Sequence, residues 1–267
     1  MTSQIAVTGI PLDENSSFLR GPALAPPKIR EAFHSNSANY FTESGIDLNN
    51  HPGWKDEGDL SFDKDSKTHP RITEHVRQLL VRHNKILVLG GDHSITFPVV
   101  QAFHKKHGPL TILHLDAHPD LYDDFEGHPH SHASPFARIM ELGLATRLVQ
   151  VGIRTLNAHQ KDQAKRFGVE VFEMKNWNAG IQLKLGGPVY LSLDMDVIDP
   201  AFAPGVSHHE PGGFSSREIL SILQNLRGTV VGADLVEFNP TRDPSGITAM
   251  LAAKLFKEML DVLLRTQ

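Results

Sequence analysis

Short apolar runs rich in β-branched residues recur along this chain of 267 residues, and they constrain its fold more than any other feature. Each run is too short for a helix, and several are apolar on both faces, as strands buried in a parallel sheet usually are. Together they predict a mostly parallel sheet. The runs are Ile5–Ile10, Lys85–Leu89, Leu110–Leu115, Arg147–Ile153, Val169–Phe172, Val189–Leu193 and Thr229–Leu235.

Segments with helical spacing lie between these runs. Pro70–Asn84 carries an apolar stripe, and Ser215–Arg227 opens with the helix-capping pattern Ser-x-x-Glu. Because strands and helices alternate, we expect an α/β fold with crossover helices. The C-terminal stretch Ile247–Leu264 predicts a long amphipathic helix whose inward residues are Leu251, Leu255, Met259 and Val262 or Leu263.

The segment Thr42–His69 is polar and rich in glycine and aspartate, so we expect a long surface excursion there. No repeat, low-complexity tract or linker divides the chain, and chains of this length often form one α/β unit. We therefore expect a single domain over residues 1–267.

Composition excludes several classes of protein. The chain has 26 basic and 31 acidic residues, which argues against a nucleic-acid partner, whose binding face would be basic. It has no cysteine, which excludes disulfides, thiolate zinc sites and a cysteine nucleophile. We see neither a secretory signal nor an apolar run of the ~18 residues that a membrane span needs. We therefore expect no membrane partner and a cytoplasmic location.

The first cluster of polar residues follows the strand that ends at Leu89. It reads Gly90-Gly91-Asp92-His93-Ser94, and paired glycines let the backbone turn sharply and approach a ligand. Ligands of parallel sheets bind beyond the carboxyl ends of the strands, which makes His93 a candidate ligand. A packing or capping role for His93 stays open.

The next apolar run ends in a second cluster that contains Asp116, His118 and Asp120. In extended backbone the spacing i, i+2, i+4 would send all three side chains to the same side. Carboxylates gathered in this way repel one another unless a cation lies between them. The pattern predicts a metal site, with a polar edge strand or turn as the alternative.

A third cluster follows Val189–Leu193, where Asp194 and Asp196 lie two residues apart. With the first two clusters they make four carboxylates and two imidazoles, whose charge matches two divalent cations. Oxygen donors with some nitrogen suit Mn²⁺ better than a structural zinc.

Two further residues are candidates for chemistry without binding metal. His132 follows the loop 121–131 and begins a helical segment, where it could act as a mobile acid or base. Glu237 follows the strand Thr229–Leu235. A capping or solvated role for Glu237 stays open.

Three motifs resemble the signatures of the ureohydrolases, the family of arginases and agmatinases. They are GGDHS at Gly90–Ser94, DAHPD at Asp116–Asp120 and SLDMDVIDPAFAPG at Ser192–Gly205. The resemblance runs from residue 15 to the C-terminal helix and is greatest to plant-type arginases. The stretches that carry this likeness are Leu113–Glu141, Ala201–Gly213 and Val231–Asp243.

The resemblance implies a three-layer α-β-α fold, two Mn²⁺ ions per chain, and a homo-oligomer that is a trimer or hexamer. It implies that His132 is a proton shuttle and that Glu237 grips a guanidinium. We add the hypothesis that Asp120 accepts the proton of the attacking hydroxide, provided that its second oxygen is free. The implied metal ligands are His93, Asp116, His118, Asp120, Asp194 and Asp196.

The implied activity is hydrolysis of a small guanidino substrate by hydroxide formed between the two metals, with release of urea. The plant-type likeness points to L-arginine, which would give L-ornithine. Thr155-Leu156-Asn157 stand where animal arginases present an aspartate for the α-amino group, and agmatinases share Gly152-Ile153-Arg154-Thr155. Agmatine or another guanidino acid is therefore the alternative, and a non-catalytic metal-binding relative is a remote one.

The sequence names only candidates for contacts with the tail of the substrate. They lie in the loop 121–131, which could serve either substrate. The candidates are Asp123, Asp124, Glu126, His128, His130 and Ser131.

Overall fold

The computed structural model describes residues 5–62, 67–178 and 180–265. Within these residues eight strands form one sheet in the order β2-β1-β3-β8-β7-β4-β5-β6, and every neighbouring pair is parallel. The predicted α/β class is confirmed. The strands are β1 (Ile5–Gly9), β2 (Trp54–Asp59), β3 (Lys85–Leu89), β4 (Leu110–Leu115), β5 (Ala145–Ile153), β6 (Glu170–Glu173), β7 (Pro188–Asp194) and β8 (Thr229–Val236).

Helices cover both faces of the sheet. One buried cluster joins α1, α6 and α7 to one face, and a second joins α2, α3, α4 and α5 to the other. Alternate strand residues point to opposite faces, so Leu87 packs in the first cluster and Val88 in the second. The result is the predicted three-layer arrangement. The helices are α1 (Ala25–Phe33), α2 (Thr68–Arg82), α3 (Thr96–His107), α4 (Pro135–Glu141), α5 (Ala158–Phe167), α6 (Ser216–Asn225) and α7 (Ile247–Arg265).

The predicted surface excursion at Thr42–His69 contains a strand, and this prediction is corrected. β2 pairs with β1 at the edge of the sheet, and no other described strand pairs with it. Its side chains are half-buried or exposed, and its Asp56 and Asp59 pair with Arg30 of α1. An edge strand held by charged pairs lacks the apolar run that reveals a central strand.

The C-terminal helix also differs from the prediction. A single inward stripe was expected, but Leu251 is only half-buried, and from Leu255 to Leu263 every side chain is buried. Lys257 donates to the carbonyl oxygen of Asn39, and Glu258 accepts from the backbone N–H of Glu43. A polar segment therefore lies across the face of α7 that the pattern assigned to solvent.

The four central strands of the sheet are β3, β8, β7 and β4. The clusters singled out in the sequence follow these strands, so the fold brings them to one edge of the sheet. None of the helices in the described part of the chain is long and apolar enough to cross a membrane.

Candidate metal centre

A buried group of donors surrounds His93, which lies in the turn after β3. Its Nδ1 atom lies 3.1 Å from Asp116 Oδ2, 3.1 Å from Asp120 Oδ2 and 3.0 Å from Asp194 Oδ2. Three carboxylate oxygens from two different strand ends therefore converge on one imidazole nitrogen.

A second group lies on the other side of Asp116. His118 Nδ1 is 2.9 Å from Asp196 Oδ2 and 3.4 Å from Asp116 Oδ1. Asp116 thus presents one oxygen to each group, as a carboxylate shared by two cations would. The structure brings all six predicted ligands together in two sets joined by Asp116.

The backbone reaches this geometry differently from the extended strand that we expected. β4 ends at Leu115, and Asp120 has a φ of 52°, in the left-handed region. The residues from Asp116 to Asp120 therefore form a bent loop, and that loop, not strand alternation, turns Asp120 towards His93. Left-handed backbone at a non-glycine residue costs of order 1–3 kcal/mol and is concentrated at functional sites.

The hydrogen bonds of His93 show whether this centre fits a metal ion. Ser192 Oγ donates its one proton to Asp234 Oδ1, at 2.6 Å, so it accepts from His93 Nε2, at 2.9 Å. The fully buried Nδ1 has no hydrogen-bond partner in the described structure and faces the three carboxylates. A bare lone pair among negative oxygens is stable only around a cation, so the residues fit a metal ion.

The pKa shifts point the same way. Burial lowers the pKa of His93, but the adjacent carboxylates of Asp116, Asp120 and Asp194 outweigh burial and raise it well above the ordinary value. Burial and the repulsion of Asp196 and Asp116 raise the pKa of Asp194 well above its usual range. In the absence of other cations the centre therefore attracts protons, which is the behaviour of a site with excess negative charge.

His132 and Glu237 form a pair beside this centre. His132 Nδ1 lies 2.8 Å from Glu237 Oε1, and the same oxygen accepts the backbone N–H of His93, at 2.9 Å. Glu237 also has a left-handed φ, of 62°. Burial lowers the pKa of His132, but attraction to Glu237 and their hydrogen bond outweigh burial and raise it to about 9.

A cavity of about 180 Å³ opens above the two groups of donors. None of the eight predicted site residues lines a larger cavity, of about 820 Å³, between residues 180–185 and α6. The smaller cavity is therefore the candidate active site. Its lining residues are Ser17, His118, Asp120, Tyr122, Phe125, His132, Ala133, Thr155, Gln160, Asp194, Asp196, His208 and Glu237.

None of the six predicted tail contacts lines this cavity. The loop 121–131 contributes Tyr122 and Phe125, whereas Asp123 pairs with His159 and His130 stacks on Phe97. The acidic side chains of this loop were candidates for contacts with the tail of either substrate. They lie at the surface because the two aromatic rings take the inward positions.

Three buried polar residues of this region were missed. His114 and Asp234 lie within strands, and Asp92 lies in the turn after β3. Each is a polar residue inside or next to an apolar run, a signal that the sequence does contain. Asp92 accepts the backbone N–H of Asn15, which holds the N-terminal loop against His132.

The model of the arginase family matches residues 3–261 of this sequence, almost its whole length. The chain belongs to the arginase family. This membership confirms the resemblance that the three motifs carry.

Two relatives and one solved structure show which members of the family this chain is similar to. It is 52% identical to Arginase 1, mitochondrial, from Arabidopsis thaliana, over 95% of this chain and 79% of that one. It is 35% identical to the agmatinase of Bacillus subtilis, over 94% of this chain and 89% of that one. The structure of the arginase from Medicago truncatula matches with a TM-score of 0.91 and 47% identity, covering 98% of this chain and 88% of that chain.

The prediction of a cytoplasmic location is wrong. The Arabidopsis relative is named a mitochondrial arginase, and relatives from Oryza sativa and Medicago truncatula have the same label. The absence of a visible signal was therefore weak evidence for a cytoplasmic location.

Proposed function

We propose that this protein hydrolyses the guanidinium group of L-arginine to give L-ornithine and urea, with two Mn²⁺ ions. The observation that carries the proposal is the pair of donor sets sharing Asp116, beneath a cavity that also contains the His132–Glu237 pair. The 52% identity to a plant arginase supports arginine as the substrate.

His93, Asp116, Asp120 and Asp194 would hold one ion, and Asp116, His118 and Asp196 the other. Four carboxylates and two imidazoles with no sulfur favour Mn²⁺ over a structural zinc. When bound, the two ions would supply the acidity that converts water to hydroxide near neutral pH.

Glu237 would orient the substrate. A guanidinium is planar and forms paired, charge-assisted hydrogen bonds with a carboxylate, which fixes both its position and its plane. Glu237 carries a negative charge for this purpose, because attraction to His132 outweighs burial and lowers its pKa. The substrate carbon would then face the donor groups in a productive orientation.

Asp120 and His132 would move the protons. The Asp120 carboxylate would accept the proton of the hydroxide as the hydroxide attacks the guanidinium carbon. His132 is protonated at neutral pH, because its pKa is about 9, and would donate a proton to the departing amine. An amine leaves as a neutral molecule far more easily than as an amide anion, so this step needs an acid.

Agmatine is the second candidate substrate, and one observation favours it. Among the described residues that line the cavity there is no lysine or arginine to pair with the α-carboxylate of arginine. Neutral donors such as Ser17, Tyr122 and His208 would have to bind that carboxylate instead. Agmatine has no carboxylate and would need none of them.

Urea release from arginine and agmatine, measured side by side after incubation with Mn²⁺, tests the proposal. We expect a kcat/KM for arginine at least about 10-fold above that for agmatine, a difference of roughly 1.4 kcal/mol in transition-state binding. Urea release from agmatine alone would mean that agmatine, not arginine, is the substrate. Urea release from neither compound would refute the proposal.

We also propose that residues 1–267 form one domain, since all eight described strands belong to a single sheet. The trimer or hexamer implied by the family stays a prediction. Light scattering of the purified chain would test the assembly.

A further inference from the structure

His114 lies closer to the metal centre than its place within a strand suggests. It is fully buried in β4, and its Nε2 atom is 2.6 Å from Asp116 Oδ2, the oxygen that also faces His93. By position alone, His114 could be a seventh metal ligand, because its donor atoms group with those of His93, Asp116 and Asp120.

The neighbouring strand decides which nitrogen of His114 carries the proton. Gln150 of β5 is the register partner of His114, and its amide nitrogen lies 2.6 Å from the carbonyl oxygen of Pro119. A carbonyl oxygen only accepts hydrogen bonds, so the NH₂ end of the amide must face it. The same nitrogen lies 3.0 Å from His114 Nδ1, to which it offers its second proton.

His114 Nδ1 is therefore an acceptor, and the ring proton resides on Nε2. That proton points at Asp116 Oδ2, so Nε2 has no lone pair for a metal ion. His93 has the opposite arrangement, since its Nε2 is protonated towards Ser192 and its Nδ1 is bare. The hydrogen bond to the other ring nitrogen thus decides whether each ring can bind a metal ion. His93 can be a ligand, and His114 cannot.

We propose that Gln150 and His114 are positioning residues, which fix the rotation of the Asp116 carboxylate so that each of its oxygens faces one metal ion. The inference rests on the proposed two-metal site. Phe136 stacks on the His114 ring at 3.9 Å between centroids, and this contact holds the ring in its plane. The other Asp116 oxygen accepts the backbone N–H of His118, at 2.6 Å. Both oxygens are thereby held before any cation arrives.

Three substitutions in this chain of 267 residues test the inference by Mn²⁺ binding. His114→Phe keeps a stacked ring but removes the donor, His114→Gln keeps a side-chain N–H near the position of Nε2, and Gln150→Met removes the amide. The number of Mn²⁺ ions per chain and their apparent Kd are measured by equilibrium dialysis. Thr111→Val, which removes a partly buried hydrogen bond to the carbonyl oxygen of Gly186 at the far end of β4, is the matched control.

We expect His114→Phe and Gln150→Met to bind two Mn²⁺ at saturation, with an apparent Kd raised about 10-fold or more, as is typical when a partner of a metal ligand is lost. His114→Gln and Thr111→Val should stay within about 3-fold of the unmodified protein, inside the context-dependent spread of such effects. If His114→Phe does not fold, Gln150→Met decides.

Three results would overturn the inference. Saturation of His114→Phe at one Mn²⁺ would make His114 a ligand, an unchanged Kd would make it a packing residue, and an unmodified chain that binds no Mn²⁺ would remove the site itself. Failure of the proposed function is seen separately. In that case the unmodified chain releases no urea, whether or not these substitutions change its Mn²⁺ affinity.

Discussion

At the scale of single residues, we propose that the carboxylates near His93 and His118 bind the metal ions and that His132 transfers a proton. The two tasks are separable by substitution, because His132 contacts Glu237 and Ser17 but none of the oxygens that converge on His93.

Asp196→Asn tests the first task. It keeps the size of the side chain and removes one of the negative charges, so the group around His118 should no longer retain its cation. We expect metal analysis after dialysis at limiting Mn²⁺ to find about one ion per chain where the unmodified protein holds two. Retention of both ions would show that Asp196 is not a metal ligand.

His132→Asn tests the second task. We expect both Mn²⁺ ions to remain and kcat for urea release to fall by about 100-fold or more, the usual effect of losing a general acid. The same substitution at His128, which is exposed on the loop 121–131, should leave kcat unchanged. Loss of metal in His132→Asn would mean that our division of roles is wrong.

His208→Ala tests contacts with the substrate. The His208 ring lines the cavity at 5.3 Å from the ring of His132, and its nitrogens make no hydrogen bond to any residue that the structure describes. Because one hydrogen bond contributes about 1 kcal/mol, we expect KM for arginine to rise several-fold while kcat changes little. His209→Ala, on an exposed neighbour, is the control, and equal effects of the two substitutions would contradict this role for His208.

The sequence predicts the residues of the centre better than their geometry. His93, Asp116 and Asp194 could be found because charged residues directly after buried strands are rare. The left-handed turn at Asp120 could not, because any residue type can follow Pro119 and only the packed loop sets its φ. His114 was missed because one histidine in an apolar strand has many possible packing roles.

At the scale of elements, β8 shows how closely the sheet and α3 pack. Gly232 lies in the middle of β8, and a Cβ atom there would overlap the ring of the buried Phe103. We expect Gly232→Ala to lower the free energy of unfolding by about 1–3 kcal/mol, as overpacking usually does. Gly186→Ala, where a Cβ would meet no atom within 4 Å, should have little effect in the same denaturant titration. Equal stability of the two variants would contradict the close packing.

His69, in the first turn of α2, should make the stability of the protein depend on pH. Burial, and to a lesser extent the repulsion of His130, lower the pKa of His69 to about 4, and Glu14 opposes them only weakly. As pH falls from about 6.5 to about 4, the unfolded chain therefore takes up a proton that the folded chain refuses. This should cost roughly 3 kcal/mol of stability by about pH 4 and nothing above about pH 7.

Denaturant titrations of the unmodified protein and of His69→Phe, compared between about pH 7 and about pH 4.5, measure this effect. As the pH falls, the free energy of unfolding of His69→Phe should increase relative to that of the unmodified protein. Effects of acid on the metal centre are common to both proteins and cancel in the comparison. A gap that stays constant with pH would contradict the burial of a neutral His69.

Apolar periodicity predicts the central strands of this fold well, because a strand covered on both faces must be apolar along its length. The same signal fails for β2, which is held at the sheet edge by Arg30, Asp56 and Asp59. It also fails for α7, whose polar face is covered by the segment around Asn39–Ser44. In both cases the deciding contacts join residues far apart in sequence.

At the scale of the whole molecule, parallel topology creates the centre. Four clusters separated by up to about 140 residues meet because β3, β8, β7 and β4 are neighbours whose carboxyl ends share one edge. The order of the strands in the sheet could not be predicted from the sequence. The position of the site at the carboxyl ends of the strands could be, because ligands of parallel sheets bind at this edge. The location of the protein in the cell does not follow from its fold, and the prediction of a cytoplasmic location was wrong.

We propose that two Mn²⁺ ions, held by the residues around His93 and His118, enable the chain to hydrolyse a guanidinium. The most direct test adds Mn²⁺ stepwise to the chelator-treated protein and measures bound metal and urea release from arginine on the same samples. We expect urea release to rise with bound metal and to level off near two ions per chain. Full activity without bound metal, or two bound ions with no urea from any guanidino substrate, would contradict it.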